Sequence, residues 1–519
     1  MKNKFKLLIV AILLLTGASS CSNWLEVLPD NQMILEQYWK TESDAQNVMA
    51  GCYRGLIAND VTYRMLIWGE MRSDNFIKGD LTDVDMVKIL GQEITPANAN
   101  CAWGPFYSII NNCNTFLKYA PDVLKEDANF TVGKLHAMEA EVLTIRALSY
   151  FYLVRAFKNV PFITTPSIDD SQDYLATQST EREVLDSITN DLKVAALYAK
   201  TSFSTPAYTK GRITKNAVYA LLADIYLWDQ KYDDCIQMCN NVMADNTLKL
   251  VGAESVINDV FYEGKSSETI FELQFNDKVQ INYATRNLYG WSGITRGGVS
   301  FPTNLAPGKQ YSPFKYSLGS GMYESEKDTR AKDFFVTDAV SGVYNIFKYA
   351  GLARSENTTT NVSSYTYRSN TSNWIVYRLS DVILMKAEAL LQKTGASDFE
   401  NVVALVNKTY QRSNPDADTL SSLKYSGFND VQSLVLRERQ RELMFEGKRW
   451  FDLMRLARRS NSTAPLVSYV AKTTAGNEAL GKVSVMNALY WPIHKNELIA
   501  NPLLVQNPFY NTVTSSTSN

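Results

Sequence analysis

The sequence predicts a mainly α-helical protein, in which repeated helical hairpins form the core and one loop-rich segment is set into the second half of the chain. Three observations predict this fold. Apolar residues recur at helical spacing, and the helical stretches come in pairs. Residues 276–373 interrupt every such run with Gly, Ser, Thr, Asn and Pro, yet they hold nine of the 29 Tyr. A length of 519 residues, 45% of them hydrophobic, allows a sizeable core.

The first twenty residues predict a secretory signal. Three Lys precede nine apolar residues, 7–15, and five small residues then lead to Cys21. As a helix, nine residues would span about 14 Å, roughly half of the bilayer core, so this segment is not a transmembrane anchor. Cys21 resembles the lipidated Cys of a bacterial lipobox, although Ala18 stands where most lipoboxes have Leu. We expect acyl chains at Cys21 to tether the mature protein; cleavage without lipidation is the alternative.

Charge and residue usage argue against several functional classes. Removal of residues 1–20 takes away three Lys and no acid, which changes the formal charge from −2 to −5 and leaves no basic excess for nucleic acid. Two His leave little for metal or acid–base chemistry. The five remaining Cys include no C-x-x-C pair, so neither a disulfide framework nor a zinc site is indicated. Cys235 and Cys239, four apart on a predicted helix, are expected to pack as small apolar residues.

The clearest helical pair runs from Thr214 to Trp228 and from Tyr232 to Met243. Its first helix places small residues, among them Ala217 and Ala220, where a partner helix must approach. This arrangement is similar to a tetratricopeptide-type hairpin. Further pairs are 379–392 with 398–410, 431–446 with 448–458, 42–57 with 103–120, and 135–157 with 182–199.

The loop-rich segment is expected to be folded, because disordered linkers are poor in aromatic residues. A Tyr-rich loop surface on a helical scaffold is typical of a binding protein. We therefore divide the chain into a signal peptide (1–20), an N-terminal part with helical hairpins (21–275), a loop-rich insertion on the ligand side (276–375) and a C-terminal part with helical hairpins (376–519).

Several motifs follow one another along the chain. They are Trp24-Leu25-Glu26 with Pro29; Trp103, Tyr107, Ile110 and Asn114; AEVLTIRALSYFYLVRAFKNVP at 140–161; Gly211-Arg212; SSETIFELQF at 266–275; RLSDVILMKAEA at 378–389; RERQRELMFEGKRWFDLMR at 437–455; and Trp491-Pro492-Ile493 with Asn501-Pro502. In this order they resemble the SusD/RagB family of surface lipoproteins of Bacteroidota, over essentially the whole chain. The chain departs from the family pattern at Lys448, where His is common, and at His494, in place of the usual Pro.

The resemblance implies a fold and a function. Members of that family have four tetratricopeptide-like hairpins that form a superhelical core, and a looped subdomain that carries the ligand site. They sit on the outer face of the outer membrane. There they cap a SusC-type TonB-dependent transporter and capture oligosaccharides, or peptides in some members. We therefore expect a SusC-like transporter, an oligosaccharide and the outer membrane as partners.

The motif at 442–455 carries many charges and could suggest an active site. Glu446, Arg449, Asp452 and Arg455 are spaced three apart, so opposite charges can pair along one helical face. We interpret them, together with Glu442, as a structural ion network within the helical core. The same interpretation holds for Arg378, Asp381 and Glu388.

Other motifs give no catalytic or metal site. GNEALGK at 476–482 nearly matches a phosphate loop, but Val483 stands where Ser or Thr must meet Mg²⁺. Asp80, Asp83 and Asp85 fail the spacing of a calcium loop and are better interpreted as a solvated acidic loop. No G-x-S-x-G is present, and His136 lies on a predicted core helix. We therefore expect no catalytic residue and no cofactor.

Two stretches combine aromatic rings with polar groups, as sugar recognition requires. The first, 68–76, falls where the family has its R-x-D-N loop, and the second, 289–301, includes a Tyr-Gly-Trp turn that could display a ring. The predicted ligand-binding residues are Trp68, Arg72, Asp74, Asn75, Tyr289, Trp291 and Arg296. For Arg72 and Asp74, a structural ion pair is the alternative.

The leading functional hypothesis is a cell-surface lipoprotein that binds a glycan and delivers it to its transporter, without catalysis. Three alternatives remain open from the sequence. The same scaffold could bind peptides along an extended groove. A hydrolytic enzyme would need two carboxylates about 5 to 10 Å apart, and nothing in the sequence selects such a pair. An adaptor of the tetratricopeptide kind would bind proteins without a small ligand.

Overall fold

The computed structural model describes residues 38–168, 172, 174–290, 297–301, 322–325, 327–337, 344–357, 362–471 and 481–514. Helices dominate this part of the chain, as the sequence predicts. They are α1 (Glu42–Leu56), α2 (Asn59–Leu66), α3 (Val84–Leu90), α4 (Gly104–Tyr119), α5 (Val123–Glu126), α6 (Val132–Phe157), α7 (Glu181–Tyr198), α8 (Pro206–Gly211), α9 (Lys215–Trp228), α10 (Tyr232–Met243), α11 (Tyr283–Tyr289), α12 (Arg330–Asp333), α13 (Leu379–Thr394), α14 (Phe399–Ser413), α15 (Phe428–Leu443), α16 (Arg449–Ser460), α17 (Ala464–Val470), α18 (Lys495–Ala500) and α19 (Pro508–Thr514).

Threonine side chains start four of the long helices. Thr41, Thr131, Thr180 and Thr214 precede α1, α6, α7 and α9, and each Oγ1 accepts a hydrogen bond from the backbone N–H three residues on. At α1 and α7, an acidic side chain in the first turn accepts a hydrogen bond from the cap backbone in return. Such caps satisfy N–H groups that lack a helical partner, so the sequence itself fixes where these helices begin.

The helices pack in pairs and the pairs join into one core. α1 packs against α4, α6 against α7, α9 against α10, and α13 against α14. Contacts of α4 with α6, α7 with α9 and α10 with α13 link each pair to the next. The helical pairing that the sequence predicts is therefore confirmed for these elements.

The α9–α10 hairpin shows how the residues produce the packing. Ala217, Ala220 and Ala223 are buried on α9, where small side chains let a neighbouring helix approach. Cys235 and Cys239 are free thiols buried on α10, so their predicted role as small apolar residues is confirmed.

Short strands occur mainly in the second half of the chain. They are β1 (Ile77–Lys78), β2 (Thr269–Leu273), β3 (Val299–Ser300), β4 (Phe335–Thr337), β5 (Tyr344–Ile346), β6 (Gly351–Asn357), β7 (Val362–Tyr367) and β8 (Trp374–Arg378). They pair antiparallel as β1–β3, β2–β8, β4–β5 and β6–β7. Within 276–375, Tyr289, Tyr323, Tyr349 and Tyr367 are buried against the core. The described residues of this segment are thus folded and packed, as its aromatic content indicates.

Among the described residues, we find no helix that combines the length and the apolarity needed to cross a membrane.

Candidate functional site

Two loop segments that are distant in sequence meet at one edge of the molecule. Antiparallel pairing of β1 with β3 sets Ile77 opposite Ser300 and Lys78 opposite Val299. The contact continues beyond the strands, where Gly79 N–H donates to the Gly298 carbonyl at 3.1 Å. The start of the acidic loop at 79–85 and residues 297–300 are therefore neighbours in space, although the sequence gives no sign of their pairing.

Glycine makes this approach possible. A Cβ atom at Gly79 would lie 2.5 Å from the Gly297 carbonyl oxygen, and one at Gly297 would lie 2.2 Å from the carbonyl oxygen of Leu288. Thr82 stabilises this junction of the two segments, because its hydroxyl donates a hydrogen bond to the Gly298 carbonyl at 2.7 Å. Gly79 and Gly297, which the sequence indicates only as loop residues, are thus sites of close backbone contact.

A small pocket of about 180 Å³ opens at this junction, and we call it the loop-side pocket. Its wall combines apolar, aromatic and polar groups. It is lined by Tyr63, Leu81, Thr82, Asp83, Met86, Asn287, Leu288 and Gly298. Burial raises the pKa of Tyr63, and the nearby Asp83 carboxylate raises it further, so the phenol is held neutral as a hydrogen-bond donor.

Asp83 has a structural role as well. Its Oδ1 accepts a hydrogen bond from Met86 N–H at 2.7 Å and thereby caps α3. Asp85 accepts a hydrogen bond from Ala99 N–H at 2.9 Å. Within the described ranges, no group of three or more His, Cys, Asp or Glu could hold a metal ion. The acidic loop thus caps a helix and borders the pocket.

Two predicted ligand-binding residues, Trp291 and Arg296, lie outside the described residues. The chain on both sides of them borders the loop-side pocket, through Asn287 and Leu288 before and Gly298 after. Gly298 N–H donates to the Asn287 carbonyl at 2.8 Å, which holds these two flanks together.

The other five predicted ligand-binding residues are buried, which corrects their expected role. Trp68 donates from Nε1 to the Asn100 carbonyl at 2.8 Å and stacks on Phe106. Arg72 donates to the carbonyl oxygens of Leu489 and Ala488 at 2.8 and 2.7 Å. Burial lowers the pKa of Arg72, and these carbonyls replace the lost water. Neither side chain presents a surface to a ligand.

Asp74, Asn75 and Tyr289 are held in the same way. Asp74 pairs with Arg449 at 2.7 Å, which makes the structural ion pair the correct interpretation of Asp74. Asn75 donates to Glu70 at 2.8 Å. The hydroxyl of Tyr289 donates to the Phe445 carbonyl at 2.9 Å. Because every one of these polar groups already has a protein partner in the interior, the three residues join the loops to the core.

Glu70, which sequence reasoning missed, organises this junction. Its carboxylate accepts hydrogen bonds from Phe445 N–H at 2.6 Å, Gly447 N–H at 2.5 Å and Asn75 Nδ2 at 2.8 Å. Burial raises the pKa of Glu70 to about 7, against the opposing effect of the three donors. Glu70 lies within the stretch 68–76, but nothing in the sequence indicated that its partners are the backbone N–H groups of residues 445 and 447.

The charged signature at 442–455 is a structural ion network, as predicted. Arg378 lies at its centre and contacts Glu268, Glu442 and Glu446, each at 2.6 Å. Neighbouring guanidinium groups, first that of Arg412, hold the pKa of Glu442 well below its usual range. Arg378, Glu268, Glu442 and Glu446 are buried, Arg412 is partly buried, and all are paired with opposite charges.

One detail of the predicted network is wrong. Only Asp452 and Arg455 pair along one helical face, at 2.7 Å. α15 ends at Leu443 and α16 begins at Arg449, so Glu446 lies in the intervening turn and pairs with Arg378 instead. The sequence predicts a break after residue 446, between 431–446 and 448–458, but the helix ends three residues earlier, at Leu443.

A larger cleft lies on the helical side of the molecule, between α1, α6 and α8. Its volume is about 1170 Å³, and we call it the helical cleft. Glu141 lies at its floor, where it accepts hydrogen bonds from Arg212 at 2.6 and 3.0 Å. Tyr208 stands at the edge with 57% of its surface exposed. Gly211-Arg212 and Glu141 belong to motifs of the sequence, but nothing in those motifs predicted a cleft, because its lining comes from separate helices and from β2.

Two family models together span most of the chain. The SusD family model matches residues 264–510, and a model described as "Starch-binding associating with outer membrane" matches residues 23–227. The SusD-like protein P38 of Formosa agariphila is 24% identical over 542 residues, which cover 98% of this chain and 100% of the relative. The SusD-like protein P2 of the same species is 25% identical over 483 residues, which cover 87% and 90%.

Solved structures share the fold. A SusD superfamily protein from Bacteroides vulgatus ATCC 8482 superposes with a TM-score of 0.69 at 21% identity, over 91% of this chain and 99% of that one. B. fragilis NanU superposes with a TM-score of 0.67 at 21% identity, over 93% and 100%. The predicted helical fold of tetratricopeptide type is therefore confirmed. Family membership implies a glycan-binding role in nutrient uptake, and proteins of this family are binding proteins. The chain belongs to the SusD/RagB family.

Proposed function

We propose that this protein is a surface lipoprotein that captures an oligosaccharide at the loop-side pocket and delivers it to a SusC-type TonB-dependent transporter. Acyl chains at Cys21 tether it to the outer membrane, on the outer face. It acts by binding and carries no catalytic residue or cofactor.

The observation that carries this proposal is the junction of β1 with β3. It brings the acidic loop at 79–85 against the flanks of residues 291–296, and a pocket opens between them. Loops held on a rigid helical scaffold are where binding residues concentrate. The segment that leads into β1 is fixed to the core by the buried residues Arg72, Asp74 and Asn75, which therefore support the pocket without lining it.

The chemistry of this edge suits a sugar. The Tyr63 phenol and the Asn287 amide can hydrogen-bond hydroxyl groups, and Asp83 offers a carboxylate beside them. In this proposal Trp291 supplies a flat ring for the C–H face of a sugar, and Arg296 supplies a further donor. The helical cleft is larger, so volume alone would favour it. We favour the loop side because Asn287 and Leu288, which precede residues 291–296, and Gly298, which follows them, line that pocket.

Calorimetric titration tests the proposal. Residues 22–519 are titrated with a panel of oligosaccharides and with a peptide digest of casein. We expect saturable heat with one sugar class, and Trp291→Ala should weaken the affinity by about tenfold or more, which is about 1.4 kcal/mol. Tyr208→Ala, which removes an exposed ring at the helical cleft, is the matched control and should bind as the unaltered chain does.

The result also separates the alternatives. Loss of affinity in Tyr208→Ala but not in Trp291→Ala would move the glycan site to the helical cleft. Heat with peptides alone would replace the glycan by a peptide on the same scaffold. Chemical change of the sugar during titration would indicate a hydrolase and overturn the proposal.

Delivery is tested by purification of the native lipoprotein from outer membranes. We expect a TonB-dependent transporter to co-purify with it in mild detergent. Cys21→Ser, which removes the lipidation site, should release the protein from the membrane fraction. Recovery of the unaltered protein without any transporter would contradict the delivery step, while leaving glycan binding intact.

A further inference from the structure

A groove between α7, α9 and α10 shares no lining residue with the loop-side pocket or the helical cleft. Its volume is about 490 Å³, and we call it the hairpin groove. Leu222 of α9 forms an apolar part of its wall, and Tyr219 and Tyr226 flank it on the same helix. These tyrosines are seven residues apart, so both rings lie on one helical face, about 10 Å from each other along the axis.

Two largely buried residues of the groove carry hydroxyl groups that are not hydrogen-bonded to other described residues of the protein. Thr189 and Tyr226 are each only 6% exposed. Within the part of the chain that the structure describes, neither hydroxyl forms a hydrogen bond with another protein group. Both oxygens are accessible from the groove, since neither belongs to the fully enclosed side-chain atoms that lack a hydrogen-bond partner. Both hydroxyl groups therefore face the groove.

Because both oxygens are open to the groove, water or a ligand can hydrogen-bond with them. The packing between two helical hairpins needs only apolar side chains, as Leu222 provides. Thr189 and Tyr226 therefore offer recognition groups that the helix packing itself does not require.

The charge of the groove favours a neutral ligand. Two Lys and two Asp line it, and one pair is already close, with Lys231 Nζ 3.8 Å from Asp186 Oδ1. Asn190, Gln237 and Asn241 add amide groups, which donate and accept hydrogen bonds without net charge. Aromatic rings, an apolar wall and neutral amides together match a sugar, which has hydroxyl groups at its rim and C–H groups on its faces.

We propose that the hairpin groove is a second binding site, which takes a short neutral oligosaccharide. The C–H face of a sugar packs on the partly exposed ring of Tyr219, and sugar hydroxyls pair with Thr189 and Tyr226. The hairpin groove shares no residue with the loop-side pocket, so a test of one site does not decide the other.

A double variant, Thr189→Val with Tyr226→Phe, removes only the two hydroxyl oxygens. Because they have no protein partner, a purely structural groove predicts an unchanged or slightly raised free energy of unfolding. The chain at 22–519 is mixed with maltose, cellobiose or di-N-acetylchitobiose at millimolar concentration, and amide hydrogen exchange is measured. We expect one of these sugars to slow exchange in residues 186–196 and 234–241 by about threefold or more.

The expected pattern across variants is specific. Protection of these two segments should persist in Trp291→Ala, which alters the loop side, and in Tyr208→Phe, the matched Tyr-to-Phe change at the helical cleft. It should vanish in the double variant, whose urea unfolding stays as in the unaltered chain. Protection that survives in the double variant, protection by casein peptides alone, or no protection with any of the three sugars would overturn the proposal.

Discussion

The interior around Arg378 and the loop-side pocket are built in opposite ways. Around Arg378, the charged groups are paired within the core, and they come from three motifs that the sequence makes easy to recognise, at 266–275, 378–389 and 437–455. At the loop-side pocket, backbone contacts between glycines bring together two loops with no motif in common. The residues that are easiest to recognise in the sequence therefore hold the fold, and the residues placed to meet a ligand are harder to recognise.

The comparison also explains why the charged signature is not an active site. Its carboxylates are saturated by guanidinium groups, which lower the pKa of Glu442 and of Glu446 and hold them ionised. Lys348 shows the limit of this pairing, since burial lowers its pKa to about 8 even though Glu446 lies 2.6 Å away. A group that is fully paired with neighbouring charges and sealed from solvent is available neither to a substrate nor to a proton donor.

The largest effect should come from the ion network. Glu442→Ala leaves Arg378, Arg412 and Arg330 without a shared carboxylate, and we expect the free energy of unfolding to fall by about 3–5 kcal/mol, as when one partner of a buried pair is removed. Urea unfolding measures this loss. Glu400→Ala, on the exposed surface of α14, is the control and should change stability by no more than about 0.5 kcal/mol. A loss below that of the control would mean that the network does not hold the fold.

Glu70 tests whether the two regions are coupled, because it ties the segment before β1 to the turn after α15. The two carboxylate oxygens of Glu70 accept hydrogen bonds from the N–H groups of Phe445 and Gly447, and Glu70→Gln replaces one of these oxygens by an amide nitrogen, which cannot accept. We expect the free energy of unfolding to fall by about 1–3 kcal/mol. The coupling is confirmed if hydrogen exchange also speeds up at 77–82. Unchanged exchange at 77–82 would show that the loop side stands on its own.

The same residue predicts a pH dependence. The folded pKa of about 7 lies above the ordinary value of 4.5, so the folded state holds the proton more tightly than the unfolded state does. Its stabilising contribution is complete below pH 4.5 and is lost as the pH rises to about 7, by roughly 3 kcal/mol. The difference in unfolding free energy between the unaltered chain and Glu70→Gln should fall over this interval. A difference that is constant with pH would contradict the raised pKa.

Much of the fold was predictable, and the reason is local. Thr180 and Thr214 mark helix starts by their own hydrogen bonds, and the apolar spacing of 214–228 follows from the helical repeat. The motifs of the family added the order of the hairpins. The break between 431–446 and 448–458 was predicted as well, but the end of α15 at Leu443 was not, because Phe445, a residue type that rarely adopts a positive φ, takes a φ angle of 72° in the turn.

The site was predictable only in part. The stretch 289–301 was found from its aromatic and glycine content, and its flanks do border the pocket. Arg72, Asp74 and Asn75 also stood out, yet they are buried, because a polar residue in a motif can serve a ligand or a structural partner equally well. Tyr63 and Asn287 were missed, since neither belongs to a motif and only the β1–β3 pairing brings them together.

A glycine substitution tests whether the loop-side pocket depends on close backbone contact. A Cβ atom at Gly297 would lie 2.2 Å from the Leu288 carbonyl oxygen, so Gly297→Ala must move residue 297 away from the end of α11, whose residue Leu288 lines the pocket. We expect glycan affinity to fall by about tenfold, while the free energy of unfolding changes by about 1 kcal/mol. Gly427→Ala, where a Cβ atom meets no other atom within 4 Å, is the control. Unchanged affinity in Gly297→Ala would remove the junction from the binding site.

The smallest expected effect separates the two roles of Asp83, which caps α3 and lines the pocket. Asp83→Ala loses the hydrogen bond from Met86 N–H, which should cost about 1 kcal/mol of unfolding free energy, whereas Asp83→Asn retains a capping oxygen and should stay near the original stability. Calorimetric titration with the glycan then tests whether Asp83 also contacts the ligand. If the carboxylate accepts a sugar hydroxyl, both variants weaken glycan binding, because Asn keeps the cap but lacks the charge. If only Asp83→Ala weakens binding, Asp83 acts through the position of α3, and the pocket recognises its ligand through neutral groups alone.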